Sequence, residues 1–191
     1  MAIFKFIDIP NYDKMLLTIK DHIINKTEVL SNPRPGGHDN SFANMIDADQ
    51  LLADVPELRN WLFNHGLIVS YVVIFGINPM AKSLLHADSD MPNGNRDVRI
   101  LLPIQNTEGS FTRFFNVPAD QLLTTMNNDG IRYKTIIGNG PFTCLDEVEL
   151  TKPIVLDTSV PHDIIVNKHS GYRLSMGIGF ENPPYDWLND Q

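Results

Sequence analysis

Leu67-Ile68-Val69-Ser70-Tyr71-Val72-Val73-Ile74-Phe75 is the stretch at which this chain changes character. Residues 68–75 crowd together β-branched and aromatic side chains, which lose rotamer freedom in a helix but pack well on a pleated sheet, so the run reads as a strand. Gly76-Ile77-Asn78-Pro79 ends it. Upstream the periodicity is helical. Met15, Leu16, Ile19, Ile23 and Ile24 form one face over residues 13–24. Over residues 48–64, Leu51, Leu52, Val55, Leu58, Trp61 and Leu62 form another, with Pro56 interrupting the helix or starting its second part and Gly66 as the stop. Between them, Asn32-Pro33-Arg34-Pro35-Gly36-Gly37-His38-Asp39-Asn40 is too dense in turn formers to continue a helix. It reads as a surface loop with a solvated His38. A short strand is expected within residues 1–9, with Ile3, Phe6 and Ile7 inward.

Downstream of the strand the apolar runs are short and separated by turns. Residues 98–104 and 111–117 read as strands of a hairpin around residues 105–110, and residues 119–126 as a short helix. Met91-Pro92-Asn93-Gly94-Asn95 and Asn128-Asp129-Gly130 are turns, the second opening a strand over 131–137. Further strands are expected at 142–145, 147–150, 154–156, 163–167 and 172–180. Many short strands at such intervals imply a sandwich or jelly roll, a mainly β fold flanked by N-terminal helices. A chain of 191 residues suits a single domain. Within it, residues 1–66 form a helical and loop embellishment packed on the sheet, 67–180 the β core, and 181–191 a tail whose Tyr185 and Trp187 dock on the body.

Hydrophobic residues at 42% and charged residues at 20% are ordinary globular values, which argues against disorder and against a membrane protein. With 15 Lys and Arg against 23 Asp and Glu, the formal net charge is -8, and such a field repels phosphate backbones. Non-specific nucleic-acid binding is therefore not expected. The single cysteine, Cys144, has no intramolecular disulfide partner, and Lys5, Asp8 and Pro10 interrupt the start before a signal-peptide core forms. No apolar run approaches the roughly 18 to 20 residues of a membrane helix. A cytoplasmic location without membrane association is the expectation.

Chemistry is concentrated after the first strand. In Leu84-Leu85-His86-Ala87-Asp88-Ser89-Asp90, an extended backbone puts His86 and Asp88 on one face, where both reach a single point. Asp90 competes with Asp88, but two more extended residues carry it about 6 to 7 Å further along, so Asp88 is preferred. Two ligands do not make a site. Two imidazoles and one carboxylate suit a divalent iron with open positions for oxygen chemistry, and Val160-Pro161-His162-Asp163 supplies the second imidazole. Asp163, next to His162, faces the other way. In Tyr172-Arg173-Leu174-Ser175 a permanent cation and a hydroxyl share a strand face with Gly177, an arrangement suited to an organic carboxylate.

Taken together, His86-x-Asp88, then His162, then Arg173-x-Ser175 resemble the iron(II) and 2-oxoglutarate dependent dioxygenases, whose motif is H-x-D, a distant H, and R-x-S about ten residues beyond it. The histidines are 76 positions apart and Arg173 lies 11 beyond the second, spacings that family shows. The resemblance spans residues 84–180. It implies a double-stranded β-helix, a jelly roll of the cupin type, in which His86, Asp88 and His162 bind Fe(2+). It implies 2-oxoglutarate chelating that metal, with its far carboxylate on Arg173 and Ser175, and with dioxygen and a small-molecule or peptide substrate completing a hydroxylation.

The subfamily is left open. AlkB-type demethylases carry a second arginine where this chain has Gly179, prolyl 4-hydroxylases a lysine where it has Arg173. Arg99 resembles the arginine-bearing strand of aspartyl/asparaginyl β-hydroxylases, which lack a carboxylate ligand, and is the candidate substrate contact. Arg113 is either such a contact or an ordinary ion-pair residue. A metal-dependent cupin that does without 2-oxoglutarate, or a metal-free jelly roll for binding or structure, are the alternatives. His169 is expected to be exposed in the Lys168-His169-Ser170-Gly171 turn, His22 and His65 show no partner in the sequence, and all three are set aside. Residues 32–44 and the turn at 91–95 are the candidates for closing over the mouth.

Overall fold

Helix formation follows the apolar stripes of the N-terminal third: α1 spans Tyr12–Lys26, α2 Ala48–Asp54 and α3 Pro56–Asn64. Pro56 starts α3, where its missing N–H is no loss because the first-turn donors have no intrahelical partner. Asp47 caps α2 by accepting from the Gln50 N–H at 3.0 Å. The computed structural model describes residues 2–26, 41–79, 82–88, 98–126, 132–138, 140–167 and 171–189. The loop expected at 32–40 with His38, Asp90, the turns expected at 91–95 and 128–130, and His169 lie outside the described residues.

The strands are β1 (Phe4–Phe6), β2 (Ser41–Ile46), β3 (Val69–Ile77), β4 (His86–Asp88), β5 (Val98–Gln105) and β6 (Ser110–Asn116). They continue as β7 (Leu122–Met126), β8 (Arg132–Ile136), β9 (Thr143–Glu149), β10 (Ile154–Asp157), β11 (His162–Val166) and β12 (Arg173–Phe180). They form two antiparallel six-stranded sheets, in the orders β1-β10-β5-β12-β3-β2 and β7-β8-β4-β11-β6-β9. The sheets share an apolar interior in which Leu101, Ile154 and Leu156 of the first meet Phe114 and Val148 of the second. This is a jelly roll, mainly β with flanking helices, as expected.

The outer face of the first sheet is where the helices go. Ile19, Ile23, Leu51, Leu58 and Leu62 bury themselves against it in one core with strand residues such as Ile74, Ile100 and Met176. The tail docks as anticipated. Leu188 packs with Val98 and Val155, and Trp187 meets the Trp61 ring edge-on at 5.9 Å.

Several expectations are corrected. The hairpin of 98–104 with 111–117 does not form: β5 pairs with β10 and β12 in one sheet, β6 with β11 and β9 in the other. Both edges of β5 are thus taken, and residues 106–109 cross between sheets. Residues 119–126 are not a helix beyond a single 3-10 turn at Ala119–Gln121, because Leu122–Met126 gains a full ladder with β8. Residues 142–145 and 147–150 merge into β9. Residues 41–44, assigned to a mouth-closing loop, belong to β2, whose Phe42 ring lies directly over Gly76, where a Cβ would come within 2.0 Å of it. Phe6, at the end of an edge strand, is 46% exposed rather than inward, and Ile24 faces solvent on α1.

Because the tail closes the outer core, Leu188→Ala is expected to lower stability by about 2–5 kcal/mol. Phe63→Ala, at a side chain 80% exposed on α3, should change it by less than about 0.5 kcal/mol. Urea denaturation of the two variants beside the parent measures both.

Candidate metal centre

A strand of three residues has little pairing of its own, and β4 is held because both of its edges are used. His86 stands opposite His162 of β11 on one side and Thr135 of β8 on the other, while Asp88 stands opposite Tyr133. The strand alternation that puts His86 and Asp88 on one face therefore also aims them at His162. The two imidazole centroids are 4.6 Å apart, and one ligand atom from each of His86, Asp88 and His162 lies within 4.8 Å of the other two.

The tautomers follow from the backbone. His86 Nδ1 is 2.8 Å from the Leu84 carbonyl, and His162 Nδ1 is 2.9 Å from the Val160 carbonyl. A carbonyl only accepts, so each Nδ1 donates and each Nε2 keeps its lone pair for a metal. His86 Nε2 is 3.6 Å from Asp88 Oδ1. The other carboxylate oxygen, Oδ2, is engaged by Arg99 Nη1 at 3.0 Å. Burial would raise the Asp88 carboxyl, but Arg99 first, then His86 and His162, hold it below the usual carboxylate range. Burial, reinforced by His86, pushes His162 down to about 4. At neutral pH Asp88 is therefore a carboxylate and His162 a neutral imidazole, the forms that bind a cation.

Arg173 enters from the opposite sheet. It is fully buried, its Nε donating to Ser110 Oγ at 3.1 Å and its Nη1 to Ser175 Oγ at 2.9 Å. Nη2 is buried without any hydrogen-bond partner, and among the described residues no carboxylate pairs with the guanidinium. Burial lowers its pKa to about 10, still well above neutral, so a full positive charge sits inside the barrel with Nη2 unpartnered. A second orphan lies beside it. Thr112 Oγ1 is buried and unpartnered, on the inward face of β6 between Ser110, which holds Arg173, and Phe114, which stands opposite His162. Unused polar atoms on β6 and β12 and a three-donor cluster on β4 and β11 fit an acidic ligand that also chelates a metal.

The structure thus brings His86, Asp88 and His162 together, sets Arg173 and Ser175 side by side, and carries Arg99 to Asp88 rather than to open solvent. Arg113 is an ion-pair residue: its Nε and Nη2 clamp Asp163 at 2.8 and 2.7 Å on the far face of β11, with Lys82 Nζ 3.2 Å away. Two histidines set aside do have partners. His22 Nδ1 is 2.7 Å from Asp54 Oδ2, tying α1 to α2, and His65 lies against Trp61 and Trp187. Sequence reading passed over Ser110 and Thr112. The available signal was two hydroxyl residues on the same strand face as Phe114.

No family model matches the sequence, and no curated protein matches it. Solved structures do. A prolyl-4-hydroxylase of Pseudomonas putida is 18% identical at a TM-score of 0.55, over 94% of this chain and 92% of that one. The non-heme alpha ketoglutarate dependent carbocyclase SnoK from nogalamycin biosynthesis is 12% identical at 0.59, over 94% and 80%. HygX from Streptomyces hygroscopicus, solved with nickel, 2-oxoglutarate and hygromycin B, is 12% identical at 0.54, over 96% and 84%. At these identities the likeness is one of fold.

The His162 shift has a measurable consequence. Between its unfolded value near 6.5 and about 4, the unfolded chain binds a proton that the folded one refuses, so stability is full above that window and falls as pH drops through it. The loss amounts to at most about 3 kcal/mol. Thermal melts of chelator-treated protein from pH 7 to pH 4 should show the decline, and His162→Gln should flatten it.

Proposed function

We propose that this protein is an iron(II)- and 2-oxoglutarate-dependent oxygenase. The observation that carries the reading is the Arg173 guanidinium, buried with no carboxylate on it among the described residues and with Nη2 unpartnered, behind a cluster of two histidines and an aspartate. An unpaired buried charge costs several kcal/mol, which the far carboxylate of a bound 2-oxoglutarate would offset. The likeness in fold to SnoK, described as alpha ketoglutarate dependent, and to HygX, solved with nickel and 2-oxoglutarate, supports the same assignment.

In this reading His86 and His162 through Nε2 and Asp88 through Oδ1 hold Fe(II), the ion that a two-histidine, one-carboxylate set with open positions favours for oxygen chemistry. When bound, iron with 2-oxoglutarate and dioxygen supplies an oxidation in which the cosubstrate becomes succinate and carbon dioxide and a substrate C–H becomes C–OH. The chain's own residues do the positioning. Arg173 meets the far carboxylate with Nη2, while Ser110 and Ser175 accept from the other guanidinium nitrogens and fix the plane of the fork. Thr112 Oγ1, buried and unpartnered on the same face of β6 as Ser110, would donate to the same ligand. The Leu84 and Val160 carbonyls keep the imidazoles from rotating. The substrate is a small molecule or a peptide segment. A metal-dependent cupin that does without 2-oxoglutarate would leave the buried guanidinium without a role, and a metal-free module would leave the histidine pair without one as well.

Anaerobic addition of Fe(II) and 2-oxoglutarate is expected to give a weak visible charge-transfer band. Arg173→Met should keep the metal but weaken 2-oxoglutarate binding roughly tenfold to a hundredfold, the worth of one charged hydrogen-bonded pair. In the absence of cosubstrate the same variant should melt higher than the parent, since a buried unpaired charge has been replaced by an apolar side chain. Unchanged cosubstrate affinity in Arg173→Met would refute the assignment.

A further inference from the structure

The two oxygens of Asp88 have different neighbours: Oδ1 faces His86 Nε2, and Oδ2 is held by Arg99 Nη1. Arg99 belongs to β5, in the sheet opposite β4, so this contact spans the cavity at the level of the metal donors. The guanidinium is itself supported from the side. Its carbon lies 5.3 Å from the centroid of the Tyr71 ring, within cation–π range. Tyr71 pairs with Gly179 across β3 and β12, and one step on from the Ile178–Ile100 pair Gly179 falls beside Arg99. A Cβ on Gly179 would come within 2.2 Å of the Tyr71 ring, so only glycine lets that ring lie across the strand towards β5. Gly179, Tyr71, Arg99 and Asp88 form a contiguous stack across both sheets, and it ends on a metal donor.

We propose that Arg99 is a positioning residue that restricts Asp88 to a single donor oxygen, and that Tyr71, seated on Gly179, holds Arg99 in place. The inference rests on the oxygenase reading of the metal centre. A carboxylate free of other partners can offer a divalent ion both oxygens. An octahedral ion held by two histidines and one carboxylate oxygen keeps three positions open; a second oxygen from Asp88 would take one of them. A chelating 2-oxo acid uses two positions and dioxygen needs another, so the chemistry has none to spare. Arg99 prevents the second oxygen from binding by keeping it occupied. It is therefore assigned to the metal centre, rather than to a substrate.

Mn(II) provides the test, because its effect on water-proton relaxation scales with the number of waters on the ion and needs neither turnover nor cosubstrate. In Arg99→Gln, Mn(II) should remain bound and relaxivity per bound ion should fall by about a third, one of three open octahedral positions having closed. Tyr71→Leu should shift relaxivity the same way, and Tyr71→Phe, which keeps the ring, should match the parent. Relaxivity equal to the parent in Arg99→Gln, or loss of Mn(II) from that variant while folded, overturns the proposal. If Arg99→Gln does not fold, Tyr71→Leu is read in its place, and relaxivity equal to the parent in that variant overturns the proposal equally. A parent protein that binds no Mn(II) or Fe(II) would instead overturn the oxygenase reading itself.

Discussion

His86 and His162 come from segments 76 residues apart and face each other because β4 and β11 pair at one register. A slip of β11 by one residue would turn His162 to the opposite face, away from His86, since strand alternation has period two. The register is defended on three sides. β8 pairs the other edge of β4, β6 pairs the other edge of β11, and Ser83 and Lys82 extend the contact with β11 through the Ser83 N–H to the Ile164 carbonyl and an isolated bridge to Ile165. The bidentate Arg113–Asp163 pair, with Lys82, lies on the far face of the same strands and opposes the slip, because it would have to be broken to move β11.

Within that frame the interior carries polar groups that an apolar core would not. Arg173, Thr112 and Ser110 sit deep between the sheets, and Asp88 and Arg99 bridge them nearer the donors. The serines fix Arg173 but leave Nη2, and the carbonyls fix the imidazoles but leave Nε2. Preorganisation of this kind lowers the entropy lost on binding and works against the stability of the empty fold. The apolar core on the other side of the first sheet, built from all three helices and the docked tail, is where compensating burial is found. The N-terminal helices are thus a stabilising layer for a sheet whose inner face carries buried polar groups such as Arg173 and Ser175.

Glycine has a matching role on β12. Arg173, Ser175, Gly177 and Gly179 follow one another on its inner face, and the rings of Phe75 and Tyr71 occupy the space that side chains at the two glycines would fill. The long residue of the face is the cation, and beyond Ser175 the small ones admit aromatic rings from β3. That order grades the face from charged to aromatic along a single strand.

The sequence by itself determined the period-two placement of His86 with Asp88 and of Arg173 with Ser175, because side-chain alternation is a local property of an extended backbone. It also determined the amphipathic helices and the break at Pro56. Which strand pairs with which was decided by the tertiary structure. Residues 98–104 and 111–117 look like a hairpin in isolation, yet each satisfies its edges in a different sheet, and Leu122–Met126 becomes a strand through its ladder with β8. The same holds for Ser110 and Arg99, whose partners lie in the opposite sheet, and for His22 and His65, whose partners come from another helix and from the tail. Alternation says only that two residues share a face. What that face looks onto depends on contacts between distant segments, and those form only when the sheets close over one another.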